Sequence, residues 1–359
     1  MLTQKNSVTL RDVAKACGLS VFPVSRALNN KPGVNPKTLT KVRKAADKLG
    51  YDYTQHHAAR SLALSKSGKT EINKLIAVVM PSHFEQSNYF FQLFKGVSEV
   101  ATKRGYGLLL LSNYDESKGA FPPQFPPLVM RGELDGLIYN GNFDEIDVNH
   151  LRSKTRFGER PIVAMGCKNQ YGPAVISDFQ QGGELALKHL LEQGHRRILY
   201  YTKGNRSSPS SESLAGYKKA CRSAGLKASD CLIPIKITHD HLSEEPLLRA
   251  IEKHHDATAL LTHNDPVALT SFYALREKGI SIPKQFSIIG QDDTNPIFDK
   301  KGNNSLTSIS YNTIEIGRQA ANILTDLIEE KTEAKDITFM PASLVIRKTT
   351  NQVLSSIQR

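Results

Sequence analysis

"LRDVAKACGLSVFPVSRALNN", residues 10–30, reads as two short helices separated by a glycine. Thr9 with Asp12 three positions later forms a variant of the helix-opening capping box, and Val13, Ala14 and Cys17 then share one face. Gly18 can take the left-handed conformation that ends a helix and turns the chain. Leu19 packs into that turn, and Ser20 is a favourable N-cap for a second helix on which Val24, Ala27 and Leu28 recur at helical spacing. Pro23 is the third residue after that cap, where a missing N–H has no intrahelical partner, so the helix tolerates it. Past "NNKPG", Asn35 and Pro36 read as N-cap and first residue of a third helix, which carries Leu39, Val42, Ala46 and Leu49 inward and stops at Gly50. The segment is therefore a small three-helix unit with a helix-turn-helix at 10–28.

Charge separates this unit from the rest. Residues 1–69 hold thirteen Lys/Arg against three acids (Asp12, Asp47 and Asp52), so they carry ten of the chain's twelve net positive charges. A basic front end on a near-neutral body points to a polyanionic partner. The 359 residues favour more than one domain, and 39% hydrophobic content suffices for sizeable cores. No apolar run reaches the roughly 20 residues of a membrane span, and "MLTQKNSVTLRD" has no apolar signal core, so a cytoplasmic protein is expected. The four cysteines (Cys17, Cys167, Cys221 and Cys231) form no CxxC pair and read as reduced thiols, with neither zinc nor disulfide.

After a helix-compatible "QHHAARSLAL" (55–64) and a basic joint "SKSGKT", the texture changes. "KLIAVVMP" (74–81) is a continuous apolar run of the kind found in parallel strands buried on both faces. An amphipathic helix follows, then "GLLLLS", and strand and helix keep alternating through "SIIGQDD". Such repetition implies doubly wound α/β architecture, with too many units for one compact sheet, hence two lobes divided near 169–174. The last helix, within "YNTIEIGRQAANILTDLIEE", is expected to cross back between lobes, and "FPPQFPP" (121–127) replaces a helix expected before "VMRGELDG".

In order along the chain, "VTLRDVAKACGLSVFPVSRALNNKPGVNPKTLTKVRKAADKLGY", "AARSL", "FKGVSEVATKRGYGLLL", "VISDFQQGGELALKHLLEQGHRRI", "HNDPVALTSFYALREKGISIPKQFSIIGQDD" and "PASLVIRKTT" resemble the headpiece, hinge and core of the LacI/GalR family of bacterial transcription regulators. The resemblance implies an α/β chain: an all-α helix-turn-helix headpiece (1–54), a hinge (55–70) and a two-lobed, periplasmic-binding-protein-like core (71–359) of doubly wound parallel sheets. Within that core the expected N-lobe is about 71–172 plus 303–330, and the C-lobe about 173–302 plus 331–350. It further implies a homodimer that binds double-stranded operator DNA, most simply as a repressor, under control of a small-molecule effector such as a sugar.

On this resemblance the second helix enters the major groove, with Val21 and Phe22 at base-reading positions and Ser25 and Arg26 one turn along. Arg26 can bond guanine bidentately, whereas Val21 and Phe22 offer only apolar contact, for instance with thymine methyls. Thr9, Ser20, Asn29 and Asn35 suit phosphate contacts, and Lys31, Lys37, Lys41, Lys44 and Arg43 supply non-specific attraction. In the hinge, beside Arg60, Leu62 corresponds to the family's leucine wedge in the minor groove. The stretch between Tyr51 and Arg60, with His56 and His57, is longer than the usual pattern.

The effector is expected between the lobes, outside the carboxyl ends of the strands. Tyr89 and Phe90 could stack on a ring, while Asp178, Asn264 and Asp292 stand at strand ends where they could grip hydroxyls. Ser213 occupies a position where the family commonly has an effector-binding arginine. Asp265 reads as a helix N-cap and Asp293 as structural. Neither a P-loop, GxSxG nor HExxH occurs, and the His pairs at 56–57 and 254–255 are adjacent, so no catalytic residue, metal site or cofactor is expected. A transport solute-binding protein, an α/β enzyme with a DNA module, and a ligand-less architectural DNA-binder remain the competing classes.

Overall fold

The computed structural model describes residues 8–28, 33–51, 72–81, 87–113, 125–140, 145–168, 171–202, 208–226, 232–236, 244–331 and 337–353. Asn29, Lys31, His56, His57, Arg60, Leu62 and residues 121–124 lie outside them. The chain divides into two compact units, Met1–Ile72 and Asn73–Arg359.

In the first unit, α1 (Leu10–Cys17), α2 (Val21–Leu28) and α3 (Pro36–Leu49) enclose Val13, Ala14, Cys17, Val24, Ala27, Val42, Ala46 and Tyr51. The capping box closes reciprocally: the Thr9 N–H donates to the Asp12 carboxylate at 2.8 Å, and the Asp12 N–H reaches back to the Thr9 hydroxyl. Gly18 sits at φ 60, where an L-residue is strained, and its N–H returns to the Lys15 carbonyl. Asn35 caps α3 through the Lys37 N–H at 2.9 Å. Pro23 is the third residue of α2, and the helix continues through it. Leu49 departs from the expected pattern, being 38% exposed; Tyr51, just beyond the Gly50 turn, fills that side of the core instead.

The second unit holds two six-stranded sheets of matching topology. The N-lobe sheet runs β2 (Gly107–Asn113), β1 (Leu75–Pro81), β3 (Gly136–Tyr139), β4 (Ile162–Met165), β5 (Ala174–Ser177), β11 (Ile337–Met340). The C-lobe sheet runs β7 (Leu232–Lys236), β6 (Ile198–Thr202), β8 (Ala259–Thr262), β9 (Ser287–Asp292), β10 (Thr307–Ser310), β12 (Ser343–Val345). All pairings are parallel except β10 with β12. The continuous apolar runs become strands buried on both faces, as in β1, β3, β4 and β8.

Helices α4 (Asn88–Arg104), α5 (Pro127–Met130), α6 (Glu145–Lys154) and α11 (Thr313–Ile328) belong to the N-lobe, and α7 (Phe179–Glu192), α8 (Ser208–Ser223), α9 (Glu245–Lys253) and α10 (Asp265–Glu277) to the C-lobe. One helix pair in each lobe crosses backbone to backbone. A Cβ on Gly96 or Gly317 would drive into the carbonyls of Ile314 or Leu93 between α4 and α11, and one on Gly183 or Gly216 into those of Ser213 or Gln180 between α7 and α8. At the proline-rich stretch the expected amphipathic helix is reduced to the single turn of α5, anchored by the buried Phe125 ring 5.4 Å from that of His150. Among the described residues, no helix is long and apolar enough to cross a membrane.

The chain crosses between lobes at Asp178, at Tyr311–Asn312 and at Pro341–Ala342. This corrects the expected lobe limits. "AVIS" (174–177) pairs with β4 and belongs to the N-lobe, and 307–310 pairs with β9 in the C-lobe, while 331–350 divides between β11 and β12. The reason is backbone pairing: an apolar run announces a strand but carries no mark of which sheet satisfies its N–H and C=O groups. The final helix does cross back as expected, from β10 in one lobe to α11 on the other. The crossings are tied together: the Asp178 N–H donates to the Met340 carbonyl at 2.9 Å, the Ala342 N–H to the Gln181 side chain at 2.7 Å, and the Phe179 and Tyr311 rings meet edge-on at 4.9 Å.

Candidate nucleic-acid interface and ligand cleft

On the three-helix unit, Val24 and Ala27 turn inward, and this leaves Val21 and Phe22 on the outer face, 40% and 71% exposed. The guanidinium of Arg26 lies over the Phe22 ring at 5.8 Å from its centroid. Exposed apolar surface backed by a cation suits the floor of a DNA major groove, where thymine methyls and guanine acceptors lie side by side. Ser20 is exposed, Ser25 half-buried, and Lys37, Lys41, Arg43 and Lys44 stand exposed along α3. The Thr9 hydroxyl is committed to Asp12 at 2.6 Å, and that bond holds the Asp12 carboxyl below its usual range.

In the core, the carboxyl ends of the two sheets face each other. Among the described residues, Asn88 Nδ2 donates to the Thr294 carbonyl at 3.3 Å and Lys168 pairs with Glu212 at 2.8 Å across the lobes, and Tyr89 stands close enough to Asp292 to feel its charge. Tyr89 opens α4, and its hydroxyl reaches the N-lobe floor, within 2.7 Å of where a Cβ on Gly166 would sit. Burial, then the neighbouring Asp292 carboxylate, push its phenol upward, so it remains a proton donor. Asp292 ends β9 at φ 98, a strained conformation for a residue with a side chain. Burial, and the repulsion of Asp265, raise its carboxyl well above the ordinary range.

The N-cap expected of Asp265 falls to its neighbour Asn264, because it is the Asn264 side chain that meets the free N–H of the first turn. Asn264 is the N-cap of α10, its Oδ1 accepting from the Val267 N–H at 3.1 Å. Asp265 is buried behind it, accepting from the Thr294 and Asn295 N–H groups and, at 2.6 Å, from the Ser308 hydroxyl. Burial outweighs these bonds and pushes its carboxyl to about 7. Asp293 is structural, as expected, gripped by Arg347 through both terminal nitrogens at 2.7 and 3.2 Å. Asp178 caps α7 through the Gln181 N–H at 2.8 Å, at the first lobe crossing.

Ser213 is not at the open surface of the cleft. It is 2% exposed, accepting from the Tyr200 hydroxyl at 3.0 Å and donating to Gln291 Oε1 at 3.1 Å. Gln291 completes the network by donating to the Thr262 carbonyl and accepting from the Tyr311 hydroxyl at 2.6 Å. Phe90 packs with Phe94 against the N-lobe apolar cluster, which favours a packing role over ring stacking. The sequence reading missed Tyr311, whose buried hydroxyl is coupled electrostatically to Asp292, Tyr89 and Asp178. Its position directly after "LTSIS" was the available signal, since strand ends line such clefts. Among the described residues no cluster of three or more His, Cys, Asp or Glu could hold a metal.

Comparison with known proteins supports both halves. Residues 9–52 match the family of bacterial regulatory proteins, lacI family, and residues 187–350 match the periplasmic binding protein-like domain. Catabolite control protein A of Priestia megaterium is 28% identical over 352 residues, covering 96% of this chain and 99% of that protein. The HTH-type transcriptional repressor PurR of Haemophilus influenzae (strain PittEE) is 28% identical over 353 residues, with the same coverage. The lac repressor dimer bound to operator and the anti-inducer ONPF aligns with TM-score 0.68 at 23% identity, covering 96% of this chain and all of that one. The chain belongs to the LacI/GalR family of bacterial transcription regulators.

Proposed function

We propose that the protein is a cytoplasmic, homodimeric repressor that reads a partly palindromic operator through Val21, Phe22, Ser25 and Arg26, with a small polar metabolite between its lobes setting its affinity. One observation carries this: a basic unit with an exposed reading helix shares a chain with two lobes whose strand ends meet across Tyr89 and Asp292. The relatives support the direction, one being named a transcriptional repressor and another being bound to operator and an anti-inducer together. Ser20, Asn29 and Thr9 would position the backbone, and Arg60 and Leu62 would engage the minor groove. Asp178, Asn264 and Asp292 would orient the effector, with Tyr89 as a wall. Ligand binding favours one lobe arrangement, and the operator affinity follows that preference. No step of this reading is catalytic.

Selection of bound duplex from a random pool, with and without candidate metabolites, tests it. The expected result is a two-fold-symmetric motif whose enrichment a ligand changes. Leu62→Ala should weaken specific binding far more than non-specific binding; equal losses on both would remove the wedge role. No preference for any duplex over random competitor would overturn the reading.

A further inference from the structure

The first turn of α2 carries Val21, Phe22 and Pro23, three successive side chains without a hydrogen-bonding group. Packing accounts for Val24 and Ala27, which are buried in the three-helix core, but not for Val21 and Phe22, which stand outside it. Phe22 is the most exposed large apolar side chain among the described residues. Around it the unit is cationic: Lys37, Lys41, Arg43 and Lys44 are exposed on α3, and Arg26 lays its guanidinium over the ring at 5.8 Å. A polyanion is therefore the partner of this surface, and the apolar turn meets what lies between its phosphates.

At the major-groove edges of the bases the N7, O6, O4, N6 and N4 groups all hydrogen-bond, and the C5-methyl of thymine is the apolar one. A phenyl ring laid on guanine, or on the amino group of cytosine, strips water from a polar group and returns no bond, which counts against both. Laid on a methyl it buries apolar surface on both sides. The preference is thus for a substituent rather than for a base, and 5-methylcytosine presents the same methyl at the same ring carbon. Arg26 fixes where that methyl falls. Its guanidinium is less than two base-pair steps of about 3.4 Å from the ring centre, so a guanine that it bonds and the methyl lie within two base pairs of each other.

We propose that Phe22 reads the C5-methyl of a pyrimidine within two base pairs of the guanine bonded by Arg26, so that operator affinity responds to cytosine methylation as well as to sequence. This rests on reading α2 as the helix that enters the groove. Site selection with the full chain, with and without candidate metabolites, tests it on three random pools. One holds the four standard bases, one has uracil replacing thymine, and one has uracil replacing thymine and 5-methylcytosine replacing cytosine. The standard pool should yield a motif with thymine within two base pairs of a guanine. The uracil pool should lose the preference at that position, and the third pool should move it to 5-methylcytosine. On single selected duplexes, removing the methyl that meets the ring should cost about fourfold in affinity. Phe22→Ala, at a side chain outside the core, should bind the thymine and uracil duplexes equally. A motif unchanged in the uracil pool, or a uracil penalty at that position that persists in Phe22→Ala, would overturn this inference and leave the reading of an operator by α2 standing. No motif from any pool would overturn both.

Discussion

The guanidinium of Arg26 and the ring of Phe22 stack one helical turn apart on α2, 5.8 Å from charge centre to ring centre, with the ring 71% exposed. An aromatic ring left that open on a regulator's reading helix serves a partner more readily than it serves the fold. On the proposed reading, its removal loses apolar contact with the base edges, and in the structure it loses the contact with the Arg26 guanidinium, an exposed interaction of about 0.5–1 kcal/mol. Phe22→Ala should weaken specific duplex binding by about tenfold or more while leaving non-specific binding and the melting temperature nearly unchanged. Fluorescence anisotropy on a selected site and on random duplex measures both; equal loss on the two would assign Phe22 to general attachment instead.

A second prediction concerns acid. His195 is 3% exposed and bonded to the hydroxyls of Thr258 (2.8 Å) and Ser287 (3.0 Å) and to the Asn351 carbonyl (3.1 Å). Burial pushes it down to about 4, so the folded chain keeps it neutral where the unfolded chain protonates it near 6.5. The stability it contributes is full above about 6.5 and is lost as pH falls toward 4, a change on the order of 3 kcal/mol. Asp265, raised to about 7, has the opposite slope, so the comparison must be with a non-titrating variant. Denaturant unfolding of wild type minus His195→Gln should rise between pH 4 and 6.5 and flatten above. A difference independent of pH would show that His195 is not held neutral.

Local chemistry made the headpiece legible in the sequence. Thr9, Asp12, Gly18, Asn35 and Gly50 each act on neighbours a few residues away, and each does what its type and spacing imply. Strand runs were equally plain. Sheet membership was not, because the pairing of 174–177 with β4 and of 307–310 with β9 depends on distant backbone. The site residues divide the same way. Strand and helix ends place Asp292 and Tyr89 at the cleft, but which of Asn264 and Asp265 caps α10 depends on the Thr294, Asn295 and Ser308 donors that hold Asp265, all distant in sequence. The burial of Ser213 depends on Tyr200 and Gln291, neither adjacent to it in sequence.

The close helix crossing of the N-lobe yields a third prediction. Leu93 and Ile314 offer their carbonyls to the very space that a side chain on Gly317 or Gly96 would need, so the helices must part for any Cβ. Overpacking of this kind costs about 1–3 kcal/mol or more. Gly317→Val should lower the midpoint of core unfolding, whereas the exposed-turn replacement Gly302→Asn, at φ 79 with open space around it, should move it little. Equal tolerance of both by thermal melting would mean that α4 and α11 are free to separate.

The Lys168–Glu212 pair separates two uses of an ion pair. Its side chains are 58% and 26% exposed, so as a contribution to folding it is worth about 0–1 kcal/mol at most. It nevertheless joins the loop after β4 to α8 across the cleft, so every opening of the lobes must break it. Lys168→Met should therefore leave the melting temperature of the unliganded core nearly unchanged. The same change should weaken the apparent affinity of whichever ligand stabilises the closed arrangement by a few-fold, because the liganded closed state then opens without having to break this pair. It should act mainly on ligand release, which stopped-flow dissociation reads directly. An unchanged release rate, with the ion pair removed, would place the control of closure at the Asn88–Thr294 contact and at the Asp178, Tyr311 and Ala342 crossings instead.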